Sequence, residues 1–210
     1  LGLPGHGENR DFITESSDQS LERALKVIYQ NIDGVCPNQD LVIIAYSIGS
    51  LLVIKLLEKL FKRNHDLKLI LIGSALRIRE ESSTLIKQFF NESMYKRLGW
   101  EPVMKKQHGE TWIKTVELID EWMLPESGIA PTKPEIQIIL EKIDKIVFII
   151  GNKDQPFNAS DILEFGPFKV NIVSGDHFSY FLVKKAWPET KEIIDETFIN
   201  WGISTGSLNE

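Results

Sequence analysis

Leu41-Val42-Ile43-Ile44-Ala45-Tyr46-Ser47-Ile48-Gly49-Ser50 is a short apolar run that ends in a small-x-Ser-x-Gly turn. Leu41 to Ala45 has the length and composition of a buried strand. Ile48 to Phe61 follows at once with the spacing of a helix. A strand that passes directly into a helix must turn sharply. Ala45 and Gly49 are expected to be small because backbone crowds that turn. Ser47 then stands on a strained corner above the strand end, placed to act as a nucleophile. The N–H of Ile48, at the helix N-terminus, can face a developing oxyanion. The plainer reading is a serine that caps a helix after a strand.

Outward from this turn, strand-like runs alternate with helical patterns, the signature of parallel α/β construction. Leu67 to Ile72, Lys145 to Ile150 and Lys169 to Val173 read as further strands. Ser20 starts a helix with Leu21, Ala24, Leu25, Ile28 and Ile32 on one stripe, and Asp33-Gly34 and Pro37-Asn38 break it. Pro188 to Trp201 is a terminal helix with proline in its first turn, where a missing N–H costs little. The third strand runs into Gly151-Asn-Lys-Asp154. A carboxylate there lies over the C-terminal edge of an open sheet, although a turn-forming Asp is the commoner fate after Gly-Asn. The fourth runs into Ser174-Gly-Asp-His177. Of the four histidines, His6 lies in a Gly-rich opening, His65 in a charged loop and His108 in the inserted stretch 77–141. Only His177 follows a strand end downstream of Asp154. Alone it would read as a surface loop residue.

Together these residues stand in the order Ser, Asp, His, each after a separate strand. With Leu1-Gly-Leu-Pro-Gly-His-Gly7, which looks like a D-x-P-G-H-G turn, the pattern resembles the α/β-hydrolase superfamily across the chain outside residues 77–141. The departures are Ala45 where glycine is usual and Gly2 where Asp often stands. The resemblance implies a mostly parallel α/β sheet with Ser47 as nucleophile, His177 as base and Asp154 as the acid that orients it, ahead of its rivals Asp176 and Glu164. It implies a serine esterase- or lipase-like enzyme that cleaves an ester or thioester through an acyl-enzyme. Superfamily members that open halides or epoxides carry Asp at the nucleophile, which Ser47 argues against. An acyltransferase on the same site and a non-catalytic binding protein of the same fold remain as alternatives.

The core is expected over 1–76 and 142–210, with 77–141 inserted as a helical cap closed by Pro125, Gly128, Pro131 and Pro134. Tyr46 and Phe178, beside the nucleophile and the base, and Trp100, Trp112 and Trp122 of the cap are expected to touch substrate. Aromatics at helical spacing are more often core. No organic cofactor and no metal is expected. A net charge of -6 without a basic stripe gives nucleic acid no electrostatic support. Only strand-sized apolar runs occur, so no membrane span is expected. One cysteine, Cys36, suits a cytoplasmic protein. The expected partner is a small ester or thioester, and the sequence leaves the oligomeric state open. The superfamily places about three strands before its Pro-Gly-His-Gly turn, so upstream strands and the second oxyanion donor are expected to be missing here.

Overall fold

Leucine, isoleucine and valine dominate four short segments, and each forms a strand: β1 (Leu41–Tyr46), β2 (Leu67–Ile72), β3 (Lys145–Gly151) and β4 (Lys169–Val173). They make one parallel sheet in the order β1-β2-β3-β4. The computed structural model describes residues 17–35, 41–62, 66–74, 76, 96–97, 99, 101–108, 132–155, 157–177, 179–182 and 186–203. Every residue of β2 is buried, as expected of an inner strand covered on both faces. The register aligns Tyr46 with Ile72, Ile72 with Ile149 and Gly151 with Val173. The segments after β1, β3 and β4 therefore leave from the same edge of the sheet.

Helices fill the intervals: α1 (Ser17–Val35), α2 (Ile48–Phe61), α3 (Glu101–His108), α4 (Lys133–Lys142), α5 (Ala159–Leu163), α6 (Ser179–Leu182) and α7 (Ala186–Asn200). The expected α2, β2 and β4 match residue for residue. α1 begins three residues earlier than expected, because several serines and Asp18 all favour a helix start. It also runs through Gly34 to Val35, within the fraying range of a helix end. Pro188 stands third in α7, still inside the turn whose N–H groups have no helical partner. Pro134 does not close a segment as expected. It lies at the start of α4, where Thr132 and Glu135 form a reciprocal capping box.

The chain divides into two compact units. One comprises Asp40–Val53, Asp66–Arg77 and Thr132–Glu210 and contains the whole sheet with α4 to α7. Its core gathers Ile70, Ile72, Val147, Ile149, Val173 and Tyr180, with Ile193, Ile194, Phe198 and Trp201 packed against them. The other comprises Leu1–Gln39, Ile54–His65 and Ile78–Pro131. In it Ala24 and Ile28 of α1 and Leu56, Leu57 and Leu60 of α2 are buried. Most of 77–141 lies outside the described residues. Among the described residues no helix is long and apolar enough to cross a membrane.

Candidate active site

The turn between β1 and α2 is a single residue, Ser47. Its φ is +52°, the only positive φ at a non-glycine among the described residues. An L-residue there crowds its own Cβ against backbone, at a cost of about 1–2 kcal/mol. Two backbone bonds hold the corner: Ser47 N–H donates to Ile72 O (2.9 Å) and Ser47 O accepts from Ser50 N–H (3.0 Å). Ala45 is buried, in keeping with its small size. The expected crowding at Gly49 is not found. A Cβ placed there meets nothing within 4 Å among the described residues.

Three side chains from three strand ends meet beside this corner. Ser47 Oγ lies 2.8 Å from His177 Nε2, and His177 Nδ1 lies 3.1 Å from Asp154 Oδ2. All three residues are buried. The carboxylate accepts at Nδ1, which assigns the imidazole proton to Nδ1 and leaves Nε2 to accept from the serine hydroxyl. The other acids considered are elsewhere. Asp176 accepts from the Ser179 hydroxyl (2.7 Å), and Glu164 is exposed at the end of α5. Ile48 is the first residue of α2, so its N–H has no carbonyl one turn back within the helix.

The loops that carry Asp154 and His177 are joined backbone to backbone. Asn152 N–H donates to Val173 O and Lys153 N–H to Gly175 O, both at 2.9 Å, while Asn152 Oδ1 accepts from Gly175 N–H at 3.2 Å. Glycine is required for this approach. A Cβ on Gly151 would lie 2.3 Å from Gly175 O.

Tyr46, expected to touch substrate, hydrogen-bonds the His177 carbonyl through its hydroxyl and stacks its ring on the imidazole (5.3 Å, 25°). Phe178, Trp100, Trp112 and Trp122 lie outside the described residues. Sequence reasoning passed over Tyr180 and Phe157. Phe157 is buried with its ring 5.5 Å from the imidazole. Its N–H donates to Asp154 Oδ1 (3.3 Å). Tyr180 donates its hydroxyl to Asp154 Oδ2 (2.6 Å) and accepts from Gly151 N–H (2.6 Å). Burial first, and then the Asp154 charge, push the Tyr180 phenol well above its ordinary range. No local signal marks Tyr180, since its partner Asp154 lies 26 residues back along the chain. Among the described residues no group of three or more His, Cys, Asp or Glu side chains could hold a metal ion.

The fold of this chain has counterparts among solved structures. NosK from Streptomyces actuosus superposes with a TM-score of 0.67 at 17% identity, over 95% of this chain and 84% of NosK. A lipase-like protein from Acinetobacter baumannii gives 0.63 at 14% identity, over 94% and 74%. MGS-M2, an alpha/beta hydrolase from a Medee basin deep-sea metagenome library, gives 0.53 at 10% identity, over 89% and 74%. This chain has the α/β-hydrolase fold. No family model and no curated protein sequence matches it. The fold is thus shared where almost all side chains differ. Ser47, Asp154 and His177 lie at the C-terminal edge of the sheet.

Proposed function

We propose that this chain is a serine hydrolase that cleaves a carboxylic ester or thioester through an acyl-enzyme. The supporting observation is the buried relay Ser47 Oγ···His177 Nε2···Nδ1···Asp154 Oδ2, at 2.8 and 3.1 Å. In the proposed reaction Ser47 Oγ bonds to the carbonyl carbon as its proton passes to His177 Nε2. The carbonyl oxygen becomes an oxyanion, with the N–H of Ile48 as its donor from this chain. Collapse breaks the bond to the leaving oxygen or sulfur, which takes the proton from His177. Water repeats the sequence on the acyl-enzyme: His177 accepts its proton, the acid is released, and the proton returns to Ser47. Asp154 fixes the imidazole tautomer and stabilises the imidazolium. The strained φ at Ser47 favours this reading over a passive helix cap, because strain in a non-glycine residue persists where surrounding structure enforces it and gathers at active sites.

The test uses a fluorophosphonate probe and p-nitrophenyl butyrate. The probe should label Ser47, and Ser47→Ala should abolish labelling and lower turnover by several orders of magnitude, on the order of 10⁶. Asp154→Asn should keep the fold and lower turnover by roughly 10⁴. Labelling or turnover that survives Ser47→Ala would overturn the assignment.

A further inference from the structure

Asp154 is a buried carboxylate, and a buried charge needs donors. Its Oδ2 receives two, His177 Nδ1–H and the Tyr180 hydroxyl, and the tyrosine bond is shorter by half an ångström (2.6 against 3.1 Å). Two glycines make room for Tyr180. A Cβ on Gly73 would lie 2.8 Å from the Tyr180 ring, and one on Gly151 would lie 3.3 Å from its hydroxyl. The Gly151 N–H donates to the phenol oxygen, which fixes the phenol proton toward the carboxylate. The ring itself is 1% exposed, in the core beside Ile72, Ile149 and Val173.

We propose that Tyr180 is a positioning residue that shares the Asp154 carboxylate with His177 and so sets how firmly the imidazole holds a second proton. This rests on the serine hydrolase reading above. With the phenol donating, part of the Asp154 charge is already neutralised when the imidazole is protonated. Without it, the whole charge acts on the imidazolium, and the carboxylate itself binds a proton more readily. Both effects move the acid limb of the pH profile in one direction, to higher pH. Among the described residues the other titratable groups near the pair are engaged elsewhere or exposed. Tyr46, from the end of β1, gives its hydroxyl to the His177 carbonyl. Lys153 is exposed. Asp176 is exposed and takes the Ser179 hydroxyl. Glu189, from α7, accepts from Ser174 N–H.

The second-order rate of fluorophosphonate labelling at Ser47, followed against pH, reads this without a natural substrate. Tyr180→Phe should move the acid limb up by about one pH unit, the effect of one lost hydrogen bond to a charged group. 3-Fluorotyrosine at position 180 keeps the ring and is a stronger donor, so it should move the limb down. It carries the test if the phenylalanine variant folds poorly. A lower rate with an unmoved limb in both variants would make Tyr180 a packing residue and overturn the proposal. Labelling of wild type that persists in Ser47→Ala would instead remove the reading beneath it.

Discussion

Ser47 occupies a conformation that serine disfavours, at φ +52°. The cost can be isolated by comparing two variants that both lack the hydroxyl. Ser47→Ala keeps the Cβ and its crowding, whereas Ser47→Gly removes it. The glycine variant should be the more stable of the two, by about 1 kcal/mol, in chemical denaturation. Equal stability would mean that the corner relaxes when the hydroxyl is lost. Much at this scale was legible in the sequence. Ser47, Asp154 and His177 follow strand ends, and a strand end can be recognised from a local apolar run. Tyr180 was not legible in that way. Its partner, Asp154, is 26 residues away along the chain, and only the parallel register of β3 and β4 brings the two together. Tyr46 was read by adjacency to Ser47, which places a residue near a site but does not say which way its ring turns.

At the scale of elements, the approach of the Gly151 and Gly175 loops sets the spacing of Asp154 and His177. Gly151→Ala would drive a Cβ to 2.3 Å from the Gly175 carbonyl. Backbone stands on the far side of that contact, so the loops must part. Stability should fall by about 1–3 kcal/mol, the range for overpacking, and the Asp154–His177 pair should open with it. Thermal unfolding together with the fluorophosphonate labelling rate checks both halves. An unchanged melting temperature with full labelling would show that the loops tolerate the separation. Strands were readable to within a residue because leucine and β-branched residues dominate them, with β2 and β3 buried almost throughout. The short α5 and α6 were not, since helices of five and four residues carry too few positions to show a period. Pro134 was mistaken for a terminator because proline is equally at home in the first turn of a helix.

For the molecule as a whole, Tyr180 links the core to alkaline stability. Its phenol holds its proton far more tightly in the folded chain than the ordinary value of 10.0, chiefly because it is buried. The raised folded value means that this contribution to stability is complete below about pH 10 and is lost as pH rises, when the unfolded chain releases the proton and the folded chain does not. Denaturation midpoints should therefore fall steeply above pH 10, and less steeply in Tyr180→Phe. Parallel slopes in the two proteins would place the alkaline sensitivity elsewhere. The distance along the chain between Ser47 and His177, 130 residues, carries a consequence for biosynthesis. At about 5–20 residues per second, a ribosome takes roughly 7–26 s to pass from one codon to the other. Throughout that interval the nascent Ser47 lacks His177, its partner in the proposed mechanism. On the proposed reading, a chain stalled short of His177 should ignore a serine-directed probe and a released chain should react, so Ser47 gains its reactivity only after His177 has left the tunnel.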